Sequence, residues 1–346
     1  MRTCCPVRRL AVKAACPGPG LLYGPTGNLR MFGTIMAPYP QTIELVEVSP
    51  RDGLQNEAVQ ISTADKLGLI ARALAAGVRR IEVTSFVNPR SVPQLADAEA
   101  VCAGLSERED VTYIGLVMNR RGAERALATE RIDQLGAVAC ASDGLGIANQ
   151  GQTSEGSVAV AREIFAHARD AGKTAQVVIA ASFGCPFDGE VSPDRVVAMA
   201  EELAAAGAIE IGLADTIGVA DPASVYRLVT RVRKLIVPLP VRVHFHNTRG
   251  TGIANVWAAI EAGARVIDSS LGGLGGCPFS PGAAGNVATE DVVYMLERAG
   301  ISTGFDLEQL IAANAWLAGV MEKQLPAMVA RARPFPPKSK ARKEVA

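Results

Sequence analysis

Aromatic side chains are scarce, at 5% of 346 residues, and only three histidines occur. Neither sign of charge is in excess: 35 basic and 35 acidic side chains leave a net charge of zero. A nucleic-acid binder normally carries a basic surplus, so no polyanionic partner and no membrane surface is expected. No run of about 18 apolar residues free of charge occurs, which excludes a membrane-spanning helix. No CxxC pair occurs, so no zinc–thiolate site is expected. The seven cysteines are Cys4, Cys5, Cys16, Cys102, Cys140, Cys185 and Cys277. Their odd number in a long chain does not fit a disulfide-stapled secreted scaffold, and a reducing, cytoplasmic compartment fits best. What is abundant is Ala and Gly, within a hydrophobic fraction of 49%. Small residues let helices sit close on a sheet, which points to an α/β protein. The length allows one large domain or two small ones, either with a substantial core.

Residues 1–41 carry Arg2, Arg8, Arg9, Lys13 and Arg30, no acidic residue, six prolines and no apolar periodicity. They read as a start placed upstream of the true first residue, Met31 or Met36, or alternatively as an organellar transit peptide. On either reading they are expected to be disordered. Residues 326–346 are expected to form a basic, flexible tail, proline-rich from Pro334. It does not end in a peroxisomal address.

Between these ends, short β-rich runs alternate with amphipathic stretches. The strands read as 42–49, 79–86, 111–118, 135–142, 176–183, 209–215, 241–247 and 266–271. Helical patterns lie near 63–76, 93–105, 121–129, 155–172, 193–206, 222–235, 251–262 and 288–299. Ser192-Pro193 and Asp221-Pro222 are N-cap and N1 pairs, and Gly77, Gly172, Gly207, Gly263 and Gly300 close helices. Repeated β–α units imply parallel strands, and eight of them over about 260 residues match a (β/α)8 TIM barrel. A further helix near 306–323 is expected outside the barrel or over one end. A doubly wound open sheet is the alternative, weakened because no GxGxxG follows the first strand. The barrel domain is expected to span 42–325.

In a barrel the active site lies at the carboxyl ends of the strands, and polar residues collect there. Strand 1 runs into Arg51 and Asp52, although Pro-Arg-Asp-Gly is also good turn chemistry. Strand 7 carries His244 and His246, two apart and so on one side of a strand. His167, on a helix between alanines, reads as structural or surface. Strand 8 leads into Leu271-Gly272-Gly273-Leu274-Gly275-Gly276-Cys277, a pliant loop bearing a cysteine; a phosphate cradle is the other reading. Asn286 follows. Asp52, His244, His246 and Asn286 offer two oxygens and two nitrogens, a set suited to Mg²⁺ or Mn²⁺ rather than zinc. Glu82 at the end of strand 2 is placed to orient Arg51. Arg51, Glu82 and Ser85 are candidate substrate contacts. Asp215 at the end of strand 6 is placed to support a histidine ligand from behind.

On these residues the chain resembles the 3-hydroxy-3-methylglutaryl-CoA lyase family, in the metal-dependent TIM-barrel lyase and Claisen-synthase superfamily. The resemblance runs from about Thr42 to Met321. Its most specific stretches are Val46–Glu57 and Ser270–Phe279, supported by Gly184–Phe187, Ala214–Gly218 and Gly285–Asp291. It implies that Asp52, His244, His246 and Asn286 bind the divalent cation. It also implies that Arg51 meets the thioester oxygen and that Cys277 is the catalytic cysteine on a mobile loop. The base that takes the hydroxyl proton is Asp52 or His244. The implied reaction splits an acyl-CoA substrate into acetyl-CoA and a keto acid, acetoacetate for the parent substrate, with leucine breakdown as its setting. A homodimer is also implied. Two departures lie near the mouth and bear on the acyl group: Asn247-Thr248-Arg249-Gly250, where mitochondrial-type lyases have Asp-Thr-Tyr-Gly, and 140–152, without the family's charged pattern. The alternatives are a lyase for a related substrate such as citramalyl-CoA, or an isopropylmalate- or homocitrate-type condensing acyltransferase.

Overall fold

The computed structural model describes residues 39–276, 285–332 and 335. Cys277, residues 1–38 and the end of the tail lie outside the described residues.

Eight parallel strands close on themselves in chain order. They are β1 (Glu44–Glu47), β2 (Arg80–Ser85), β3 (Thr112–Leu116), β4 (Gln134–Cys140), β5 (Thr174–Ala180), β6 (Ile211–Asp215), β7 (Val241–Phe245) and β8 (Val266–Ser269). β8 returns to pair with β1 from Glu44↔Val266 to Glu47↔Ser269, which seals the (β/α)8 barrel. The helices outside it are amphipathic for a visible reason. In α7 (Pro222–Ile236), Val225, Leu228, Val229, Val232 and Ile236 fall on one stripe and are buried. Asp221 caps its first turn, accepting from the N–H groups of Ala223 and Ser224, and Pro222 supplies the preset φ of N1. Such a cap contributes about 1 kcal/mol.

Strand alternation sends the other set of side chains into the barrel. Val46, Val48, Ile114 and Val266 form an apolar cluster separate from the main core. Buried charges stand beside them: Arg80, Glu82, Glu210, Arg242 and Asp268. A barrel interior is usually filled by branched aliphatics, so this polar half is the unusual part of the fold.

Three expectations need correction. The strands stop two or more residues short of 49, 247 and 271, because the chain turns at the mouth instead of running on. A helix absent from the sequence reading, α4 (Asp143–Gln150), fills the loop after β4. Gly144 and Gly146 hide it by lowering helix propensity. The Ser142 side chain caps it by accepting from Leu145 N–H, and Gly151, at φ 68°, ends it. Finally, residues 39–41 and 327–329, expected to be flexible, are held by contacts to the barrel domain. The Tyr39 ring packs tilted against Trp257, and Gln41 O accepts from Ser302 N–H at 2.9 Å. In the tail, Ala327 is buried and donates to Gly272 O at 3.0 Å, and the Asp291 carboxylate takes Met328 N–H and Val329 N–H. The extra helix α10 (Leu307–Val320) packs against α1 (Thr63–Ala75), α9 (Thr289–Arg298) and the root of the β8 loop.

Candidate active site

β1 runs into a wound turn, Ser49–Gly53, in which Arg51, Asp52 and Gly53 all donate to Val48 O, at 3.2, 2.8 and 3.2 Å. This turn re-aims Arg51 and Asp52 over the mouth. The Arg51 guanidinium bonds two carboxylates. Its Nε and Nη2 meet Glu82 Oε2 at 2.8 and 2.7 Å, and its Nη1 meets Asp52 Oδ1 at 2.6 Å. Glu82, on β2, therefore holds Arg51.

The second Asp52 oxygen, Oδ2, accepts from Asn286 Nδ2 at 2.7 Å and lies 3.9 Å from His244 Nε2. β7 ends at Phe245, so His246 is positioned not by the strand but by an antiparallel bridge to Asn286. The His244 and His246 ring centroids are 5.2 Å apart. Asp52, His244 and His246 each bring a donor atom, and all three atoms lie within 4.8 Å of one another. Two nearby polar atoms, His246 Nδ1 and Asn286 Oδ1, are buried with no hydrogen-bond partner. Each such orphan costs about 1–3 kcal/mol. A divalent cation among these four residues would relieve that cost, and the mixed oxygen and nitrogen set fits Mg²⁺ or Mn²⁺.

The electrostatics agree. Burial pushes the Asp52 carboxyl up, but Arg51 and then the two histidines pull it down to about 2, so it is ionised. Burial, reinforced by His244, pulls His246 down to about 4, so its lone pair is free. His244 is also disfavoured as a cation by burial. Its bond to Asp268 and the charges of Asp52 and Asp268 outweigh that and raise it.

The residue behind His244 is Asp268 on β8, not Asp215. Asp268 Oδ2 lies 3.1 Å from His244 Nδ1. A carboxylate only accepts, so Nδ1 carries the proton and Nε2 is left facing Asp52. Asp215 instead takes Val219 N–H and Ala220 N–H, each at 2.9 Å, and ties the β6 turn. Ser85 is buried with its hydroxyl unpartnered and does not line the cavity. The cavity holds about 920 Å³ of empty space, open mouth included. One wall is the ionic cluster; the facing wall is apolar, from Leu116, Met118, Val138, Leu145 and Val178. Leu145 and Asn149 come from α4, so the segment that departs from the family pattern shapes the pocket. Sequence reasoning missed Asp268, Arg242 and Gln176, which also line it. For Arg242 the alternation of Arg242, His244 and His246 with apolar residues gives a partial signal, that it shares a face with the histidines.

The HMGL-like family model matches residues 42–317. The (R)-citramalyl-CoA lyase of Chloroflexus aurantiacus is 45% identical over 307 residues, covering 86% of this chain and 96% of that one. The hydroxymethylglutaryl-CoA lyase of Bacillus subtilis is 40% identical over 84% of this chain and 96% of its own. The solved structure of the B. subtilis lyase superposes with a TM-score of 0.81 over 85% of this chain and 99% of that one. A lyase from Acinetobacter baumannii, solved with coenzyme A and 3-methylmalate, gives 0.82 at 41% identity over 86% and 97%.

Proposed function

This chain belongs to the HMGL-like family and is a carbon–carbon lyase, and on that premise we propose that it cleaves 3-hydroxy-3-methylglutaryl-CoA to acetyl-CoA and acetoacetate. The observation that carries the reading is the convergence of Asp52, His244, His246 and Asn286, two of them with orphaned buried atoms, beside the Arg51 guanidinium.

The reaction breaks the bond between C2 and C3 of the acyl group. The tertiary hydroxyl loses its proton and becomes the ketone, the bonding pair moves to the thioester as an enolate, and the enolate is protonated to acetyl-CoA. Asp52, His244, His246 and Asn286 would hold a divalent cation, which would supply Lewis acidity for loss of the hydroxyl proton. Arg51, permanently charged and fixed by Glu82, is poised to stabilise the developing enolate oxygen. The base for the hydroxyl proton is Asp52 or His244, whose Oδ2 and Nε2 approach within 3.9 Å. Cys277 is the proposed proton donor to the enolate, carried on the loop whose root lies at this mouth. The apolar wall from β3 to β5 suits the methyl group and the start of the pantetheine arm. Chelation should abolish turnover and Mg²⁺ or Mn²⁺ restore it.

A second reading is favoured by the 45% identity to the citramalyl-CoA lyase relative and by the altered wall at α4. On it the same steps release pyruvate instead of acetoacetate. Incubating the purified protein with both CoA thioesters and identifying the keto acid decides between them; release of neither would overturn both. Cytoplasmic location and a homodimer complete the proposal, the latter measurable by light scattering. Among the described residues no helix is long and apolar enough to cross a membrane.

A further inference from the structure

We propose that Arg242 is a positioning residue for the cation site, fixing the Asp268 carboxylate that orients His244. The inference rests on the cation-dependent reading above.

Arg242 lies two residues before His244 on β7, on the same face, with 1% exposure. Its Nε donates to Asp268 Oδ1 at 2.5 Å, while Asp268 Oδ2 takes His244 Nδ1 at 3.1 Å. Each oxygen of the carboxylate thus has its own partner, and the group cannot rotate without breaking one charge-assisted bond. With Nδ1 fixed in this way, the imidazole plane and the direction of Nε2 are fixed as well. A second carboxylate holds Arg242 only loosely: Glu210 Oε1 is 3.6 Å from its Nη1. Glu210 is already gripped at 2.9 Å through both oxygens by the fork of Arg80. Arg242 Nη1 consequently has no hydrogen bond. The best contact this buried guanidinium makes is the one to Asp268.

An arginine here is costly as mere filling, because a desolvated ion pair is often no better than apolar side chains of similar volume. The arrangement is accounted for if the angle of Asp268 matters to the site above it. Simple charge neutralisation is the competing explanation, and lysine separates the two. Arg242→Lys keeps the charge and most of the volume but loses the planar guanidinium that docks on one oxygen.

The test is calorimetric titration of Mn²⁺ into metal-free protein, with the spectrum of the bound ion recorded by electron paramagnetic resonance. Positioning predicts that Arg242→Lys and Arg242→Ala each weaken Mn²⁺ binding by about 10–100-fold and alter the spectrum. Asp268→Asn should do likewise, and the double variant with Arg242→Lys should be little worse than either single one, because the residues act in one line. If Arg242→Ala does not fold, the lysine and asparagine variants carry the test. Native Mn²⁺ affinity in Arg242→Lys, or fully additive losses in the double variant, would overturn the inference while leaving the cation reading intact. A wild-type protein that takes up no Mn²⁺ would overturn that reading, and the inference with it.

Discussion

Arg51 holds two carboxylates with one guanidinium, so its removal has two separable consequences. The enolate loses its charged donor, and Asp52 loses a neighbouring positive charge. Arg51→Gln should therefore lower kcat by about 10²–10³-fold, while Mn²⁺ affinity holds or rises. A parallel fall in affinity and kcat would instead make Arg51 part of the scaffold. Asn286→Ala removes an orphaned oxygen and the donor to Asp52 together, and calorimetry should show Mn²⁺ binding weakened by more than about tenfold. Arg51 and Asp52 were legible because they come directly after the apolar first strand, and Asn286 because it stands just before the last barrel helix, where an amide oxygen can serve a cation. Asp268 and Arg242 were not. In Val241-Arg242-Val243-His244, alternation shows that the arginine shares a face with the histidine. A single strand does not say whether that face looks into the barrel or out to water. The register of β7 against β8, with Arg242 opposite Val266, is what brings Asp268 Oδ1 to 2.5 Å from Arg242. Asp215 drew attention for the same positional reason, and its two backbone partners show that it holds its own turn.

The elements that matter most are the junctions where strands end. Their existence was readable from period and caps, but their bounds were not, because the site turns are built from contacts between distant segments. Gly53 illustrates this. A Cβ there would sit 2.8 Å from Ser270 Oγ and 3.2 Å from Leu274 Cβ, so the β1 turn and the β8 loop approach too closely for a side chain. Gly275, at φ +108°, is held against Asn286 Nδ2 and the Asp52 carbonyl. Gly275→Ala should cost about 1–3 kcal/mol of stability from backbone strain, and should weaken Mn²⁺ binding because the strain bears on Asn286. Denaturant unfolding and calorimetry measure the two effects. Loss of stability alone would show that the loop root and the ligand are independent. The same root leads to Cys277, and Asn56 Nδ2 holds it at Gly276 O at 2.9 Å. Cys277→Ala should cut turnover by orders of magnitude with Mn²⁺ affinity nearly unchanged; unaltered turnover would remove the thiol from the reaction.

At the scale of the whole molecule, the site is joined to the closing seam of the barrel through two buried carboxylates. Glu47 on β1 accepts from Ser49 N–H, Leu271 N–H and the Thr289 hydroxyl, so it ties β1, the β8 loop and α9 together. Glu290, in the first turn of α9, accepts from Gly272 N–H and Asn314 Nδ2. Burial pushes the Glu290 carboxyl up to about 8, and Glu47 nearby adds to it; burial raises Glu47 as well. The sign of the linkage follows. An acid whose folded value lies above its unfolded value, here 4.5, costs nothing in more acidic solution, where both states hold the proton. As pH rises the unfolded chain releases its proton first, so the stability contribution is lost progressively until pH passes about 8. The slope from one such group is at most about 1.4 kcal/mol per pH unit. Glu290→Gln keeps the acceptor oxygen and the shape but cannot ionise. Relative to wild type it should therefore gain stability steadily between about pH 5 and about pH 8, with little change in its standing below that window. Urea unfolding of both proteins across the range measures the gap directly. Parallel profiles would mean that Glu290 is ionised in the folded state, and that the seam carries a buried charge balanced by its hydrogen bonds alone.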